Sequence, residues 1–313
     1  MISDPHDTVK SRCRYVLMAF VLRKPLATTA ILLGILGVLQ NTAGVDFLFR
    51  PSSYGASTHP LTGLARLLLA TFVRGQKGFR PIPVMRNIIL GCVLSLICAK
   101  VLIQNIVSVP LPSSISLSSW GQMGTDTGIS LALLHAAVLL QRKNANLGLL
   151  CAFSAASFIG SSFLAFSYGH VLFEGQMAVA TLVALVPLTL SVLTLYARRP
   201  MMRVIMLAGP VGERTRNAIA VGSIVPWFGG LLLYRWIGVP ERVIPAEALI
   251  VGATILSITL VAVASGLFHE RVDRARRELS RELMEMASTD HLTKLLNRNG
   301  ITFELEKKMG SIP

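Results

Sequence analysis

Apolar residues gather into blocks at about 26–48, 58–73, 86–107, 126–141, 147–167, 177–196, 217–236 and 247–268, with short polar or basic links between them. Each block is close to the roughly 20 residues a helix needs to cross the ~30 Å hydrocarbon core of a bilayer. The pattern predicts an all-α, polytopic membrane helix bundle of about eight transmembrane helices. The block at 58–73 is short and carries Arg66 near its centre. Ahead of the first block, the apolar run within residues 1–25 is interrupted by Arg23, Lys24 and Pro25, and no small-residue cleavage site follows. That reads as an N-terminal cytoplasmic segment rather than a signal peptide, with a membrane domain over 26–268 behind it.

The links alternate in charge. Those at 74–86, 141–146 and 197–217 are basic, whereas 49–57, 108–125, 168–176 and 237–246 hold few Lys or Arg. Basic residues stay on the cytoplasmic side, so the basic links, the N-terminus and everything after Phe268 are expected inside. Without a crossing at 58–73 the basic 74–86 link would fall outside, which argues for counting that block. The second, fourth and sixth blocks also begin alike: THPLTGLARLLLATFV, MGTDTGISLALLHAAVLL and MAVATLVALVPLTLSVL. They place Thr62, Thr127 and Thr181 four residues after Thr58, Met123 and Met177. The repeating unit would be a helix leading out, a weakly charged outer loop and a helix leading back.

Composition agrees. A mean hydropathy of +0.61, 52% hydrophobic residues and only 15% charged residues do not suit a soluble domain, where about 25% charge is usual. The formal net charge of +14 resides mainly in the links, so it is assigned to topology and anionic lipid, not to nucleic acid. Cys13, Cys92, Cys98 and Cys151 lack metal-ligand spacing and read as packing thiols; no metal site is expected.

After Phe268 the composition changes. Residues 268–288 contain no Gly or Pro, and Val272, Leu279 and Met286 recur every seven residues, with Phe268, Ala275 and Glu282 at the other seam position. Glu270 with Arg274 and Asp273 with Arg277 are i,i+4 pairs that support one helix. This predicts a coiled-coil-like linker over 269–288 that continues the last membrane helix and pairs in a homodimer. The alternative is an amphipathic helix lying on anionic lipid.

The next residues, Ser-Thr-Asp-His-Leu-Thr-Lys-Leu-Leu-Asn-Arg over 288–298, carry the most specific motif in the chain. They resemble the opening of the GGDEF family of diguanylate cyclases, an Asp-x-Leu-Thr-x-Leu-x-Asn-Arg pattern placed directly after a coiled-coil linker. Asp290, Leu292, Thr293, Leu295, Asn297 and Arg298 match. Asn297 and Arg298 are suited to tying the linker to the domain, and Asp290 or Thr289 to capping a helical turn. The resemblance implies that 289–313 is the truncated start of an α/β GGDEF domain, in a cyclic di-GMP signalling protein of the bacterial inner membrane. It covers about 25 residues, and the family's Gly-Gly-Asp/Glu-Glu-Phe hairpin, metal-binding carboxylates and Arg-x-x-Asp inhibitory site are absent from the chain. Catalysis is therefore not expected of these residues, and Mg and GTP are expected only for a full-length parent.

Ionisable residues inside membrane helices are functional candidates, because each costs a few kcal/mol at the bilayer centre. Arg66, Lys100 and His135 form the candidate sensor pocket for an unknown small ligand. Asp46, Asp126, His170 or Glu174 would close it from outside. Against this, Lys100 can snorkel to the interface and His135 can serve as an interhelical hydrogen-bond donor. Trp120, Trp227 and Trp236 fit interfacial anchors, Trp227 lying deeper than that role prefers. Two further functions compete. A histidine-kinase sensor would need a phosphoacceptor histidine box, which the tail lacks. A small-solute transporter would show paired broken helices, whereas Pro187 and Pro226 are single interruptions.

Overall fold

The computed structural model describes residues 5–43, 60–76, 84–106, 123–168, 177, 179–237 and 244–288, together with the single positions 295, 297 and 301. Nearly all of these are helical and none lies in a strand. The helices are α1 (Pro5–Ala43), α2 (Pro60–Gly75), α3 (Val84–Ile106), α4 (Thr125–Lys143), α5 (Ala145–Ser167), α6 (Val179–Thr194), α7 (Pro200–Ile205), α8 (Pro210–Ile237) and α9 (Ile244–Ser288).

The described part of each predicted apolar block lies in a helix of its own, with three differences. Residue 25 is not an element boundary: α1 runs unbroken through Pro25 from Pro5 to Ala43, so the N-terminal segment is helical as far as it is described. A short helix, α7, stands inside the basic 197–217 link, with Pro200 in its first turn, where a missing N–H costs nothing. α8 begins at Pro210 rather than near 217, again with Pro leading and with Glu213 in the first turn, where the helix dipole favours an acid.

Among the described residues four helices are long and apolar enough to cross a membrane: Tyr15–Leu36, Ala145–Ser167, Pro210–Trp236 and Ala246–Ser280. α3 and α6 carry shorter apolar stretches, Asn87–Lys100 and Val179–Thr194. Outward faces are apolar too, as at Leu32, Leu96, Val183, Val225 and Ile250, each more than half exposed. Water-soluble proteins rarely expose so much contiguous apolar surface, whereas a bilayer covers it. These are the lengths and surfaces of a membrane protein.

At the centre, α2, α4 and α6 touch one another. α1 packs on α2 and α6, α3 and α5 flank α4, and α9 lies against α5, α7 and α8. Asn144 alone joins α4 to α5. Its backbone N–H caps α4 at the Leu140 carbonyl, and its side chain accepts from Leu147 N–H at 3.2 Å to start α5.

The three central helices repeat in structure as well as in sequence. Thr62, Thr127 and Thr181 are all buried. Seven residues on, Leu69, Leu134 and Leu188 are fully buried, and four further on so are Val73, Val138 and Val192. Fourteen residues after each Thr stand Gln76, Gln141 and Leu195, and these bond in series. Gln76 Nε2 donates to Gln141 Oε1 at 3.3 Å, and Gln141 Nε2 donates to the Leu195 carbonyl at 3.5 Å. Equivalent positions thus meet at one level. The core consists of parallel helices whose layers come from equivalent positions of each repeat, the arrangement expected when one unit cannot bury its apolar face alone.

Candidate functional site

Of the predicted pocket residues, the structure places Arg66 and His135 inside this core. Arg66 is 1% exposed on α2, and its Nε donates to the Thr62 carbonyl one turn earlier at 3.3 Å. Leu131 and Leu185 occupy the equivalent positions of the other repeats, both fully buried. A guanidinium therefore stands where the repeat otherwise places leucine. Counting 1.5 Å per residue from the bonded Gln76, it lies about 15 Å into the bundle.

His135 is fully buried on α4, and its Nδ1 lies 2.8 Å from the Leu131 carbonyl. With Nδ1–H donating, Nε2 is left as an acceptor, and it is buried without a partner. The repeat equivalent of His135 on α6 is Thr189, whose Oγ1 is also buried and unpartnered, as is Ser130 Oγ on α4. Buried polar atoms are normally satisfied, so these three, on two touching helices, are groups that ordered water or a small polar ligand would complete. Other buried hydroxyls on α6 are locally satisfied: Ser191 donates to Leu188 O at 2.7 Å and Thr194 to Ser191 O at 2.6 Å.

Lys100 does not join them. It is half-buried on α3, which packs on α2 and α4 outside the three-repeat centre. Among the described residues no hydrogen bond or ion pair links Arg66, Lys100 and His135. Asp126 is half-buried in the first turn of α4, while Asp46, His170 and Glu174 fall outside the described residues. Among the described residues no group of three or more His, Cys, Asp or Glu is placed to hold a metal ion.

Charge is segregated along the bundle. Arg23 of α1 donates to the Gln76 carbonyl at 2.6 Å, and Arg199 donates to the Gln141 carbonyl at 3.3 Å. Arg198 lies 4.9 Å over the Phe20 ring and Arg216 lies 4.8 Å over the Tyr15 ring. Arg216 also donates to the Ile205 and Leu207 carbonyls at 2.8 and 2.7 Å, satisfying the end of α7. Residues next to the links at 74–86, 141–146 and 197–217 thus meet at one end. The opposite end is aromatic. Tyr168 stacks on Tyr234 with ring centroids 6.4 Å apart and donates to the Trp227 carbonyl at 3.2 Å. Trp227 Nε1 donates to Ser167 Oγ at 3.1 Å, so this Trp ties α8 to α5, whereas Trp236 is 86% exposed, as an interfacial anchor would be. Trp120 falls outside the described residues.

A cleft of about 410 Å³ runs between α5, α8 and α9, lined by Phe163, Ile224, Trp227, Ile255 and Leu256 among others. Ser157 of α5 donates across it to the Gly252 carbonyl of α9 at 3.0 Å, so α9 is fastened to the bundle within the apolar region.

Beyond the bundle, α9 continues without a break to Ser288. On the expected seam, Phe268, Leu279 and Met286 are more than half exposed, Ala275 is exposed and Val272 is half-buried. Of the opening motif, Leu295 and Asn297 are described and Asp290, Leu292, Thr293 and Arg298 are not. Asn297 Nδ2 donates to the Ala287 carbonyl at 2.7 Å and its backbone N–H to the Ser288 carbonyl at 2.9 Å. It therefore caps the last turn of α9.

No model of a known protein family, no curated protein and no solved structure matches the chain. Sequence reasoning missed Ser130, Thr189 and the Gln76–Gln141 contact. Extending the repeat fourteen residues past each Thr would have found the two glutamines. Nothing local marks Ser130 or Thr189 as unsatisfied.

Proposed function

We propose that the chain is the sensor module of a diguanylate cyclase in the bacterial inner membrane, acting in cyclic di-GMP signalling. It crosses the bilayer eight times with both termini cytoplasmic and dimerises through its linker helix. The observation that carries this reading is the single helix from Ile244 to Ser288, which begins in the apolar bundle and ends against Asn297 of the GGDEF-like opening motif. A helix without a hinge over 267–288 passes rotation or translation at one end to the other.

Several features support the arrangement. Basic links gather at one end of the bundle, as positive-inside topology requires. α2 and α4 carry the buried Arg66 and His135 as inner helices, where polar residues can face protein instead of lipid. The exposed seam at Phe268, Leu279 and Met286 suits a partner helix. Arg66, His135, Ser130 and Thr189 offer a small polar ligand one cation and several unsatisfied atoms. Ligand binding there would shift the central helices, and α5 would carry the shift to α9 through Ser157 and Gly252. No step of nucleotidyl transfer is assigned to these residues, since the motif supplies no carboxylate cluster for Mg and GTP.

The test joins residues 1–288 to the catalytic domain of an active diguanylate cyclase and measures cyclic di-GMP in cells. Inserting four residues after Arg276 turns the downstream helix by about 40°, whereas seven nearly restores the seam. Output should change with the first insertion and return with the second. Output indifferent to both would overturn the proposal.

A further inference from the structure

Where α9 leaves the bundle, a second cavity of about 330 Å³ opens between the start of α5, the α6–α7 link and α9. Arg198, Arg203 and Arg271 line it together with Asn146, Leu267 and Glu270. Three arginines thus line one cavity with one glutamate. Glu270 is 8% exposed, and it and Arg198 are each already engaged in an interaction. Arg203 and Arg271 are exposed at the cavity edge, and Arg198 is held over the Phe20 ring. Guanidiniums brought together on rigid elements repel one another unless an anion stands between them. Their planar forks match the paired oxygens of a phosphate.

We propose that this cavity binds a phosphate-bearing anion, gripped by Arg203 and Arg271 with Arg198 behind them. Pro200, Met201 and Leu267 supply an apolar wall beside the cations. The phosphate has two available sources, the headgroup of an anionic phospholipid and a soluble phosphate compound. Occupancy acts directly on the exit of α9. Gly266 lies so close to its neighbours that a Cβ there would meet Val204 Cγ1 at 2.5 Å and Thr215 Oγ1 at 2.6 Å. α7 and α9, opposite walls of the cavity, are therefore packed without slack one turn from Glu270. The site stands on these residues whether or not the linker feeds a cyclase.

The experiment uses the full chain in a neutral detergent. Phosphatidylglycerol and phosphatidylcholine are titrated in parallel and bound lipid is counted by native mass spectrometry. Inorganic phosphate is titrated separately and followed by the midpoint of thermal unfolding. R203Q/R271Q is compared with R142Q/K143Q, which removes equal charge at the same end outside the cavity. A headgroup site predicts phosphatidylglycerol bound about tenfold more tightly than phosphatidylcholine, with the preference lost in R203Q/R271Q and kept in R142Q/K143Q. A soluble-ligand site predicts no lipid preference but a midpoint raised by phosphate, again lost only in R203Q/R271Q. Equal binding of both lipids with no effect of phosphate overturns the proposal, as does an equal loss in the two variants. The single variants R203Q and R271Q, each compared with R142Q, decide the matter if R203Q/R271Q fails to fold, which far-UV circular dichroism would report.

Discussion

The Tyr196 hydroxyl occupies the space that a side chain at Gly148 would fill, and from there it donates to the Ala137 carbonyl. Three helical segments meet at that point: the end of α6, the last turns of α4 and the first turn of α5. A Cβ at position 148 would collide with the hydroxyl and lie 3.0 Å from the Ala137 carbonyl oxygen.

Gly148→Ala should therefore destabilise the bundle by about 1–3 kcal/mol, the range for overpacking. Tyr196→Phe should cost about 0.5–1.5 kcal/mol for the lost bond. Because removing the hydroxyl makes room for the methyl, the double variant should cost less than the two singles added together. Unfolding in detergent measures all three, and strict additivity would mean that the two residues do not share this space.

Arg66 is the exception within a layer that Leu131 and Leu185 otherwise define. Arg66→Leu should raise stability by about 1–3 kcal/mol, since it removes a cation from the interior and completes the layer. If the same arginine serves the proposed ligand site, the variant should also lose its response to stimulus in the cyclase fusion. A variant that is both more stable and still responsive would remove Arg66 from the sensor site. Loss of function with gain of stability is the mark of a residue kept for its chemistry.

Topology can be read from single cysteines placed in a chain freed of its native ones. Trp236→Cys, at the aromatic end, should react with a membrane-impermeant maleimide in intact spheroplasts. Arg142→Cys, at the basic end, should react only after the membrane is opened. The reverse pattern would invert the orientation.

The apolar helices were legible because the thickness of a bilayer sets a characteristic length for an apolar block. The bonded series Gln76–Gln141–Leu195 brings together helix ends that adjoin the basic links, the grouping that charge in the links predicts. Other features stayed hidden for physical reasons. α7 lies in a stretch whose arginines outweigh Met202 and Val204, both of them buried. α1 runs past the apolar block because a helix need not end where its hydrophobicity does, and Pro25 interrupts neither neighbouring turn. Arg66 and His135 were visible as costly residues, but not their separation from Lys100, which depends on the neighbours of α3. The Tyr196–Ala137 bond joins positions 59 residues apart and has no local trace.

The order in which the chain is made gives Arg66 a further consequence. α4 and α6, which pack on α2 at the centre of the bundle, are made after it. Leu195 follows Arg66 by about 130 residues, roughly 6–25 s of synthesis at 5–20 residues per second. During that interval a short helix with a charge near its middle has no repeat partners to cover it. The centre formed by α2, α4 and α6 therefore cannot close until the last of them has been made, so completion of the bundle is governed by the last repeat rather than the first.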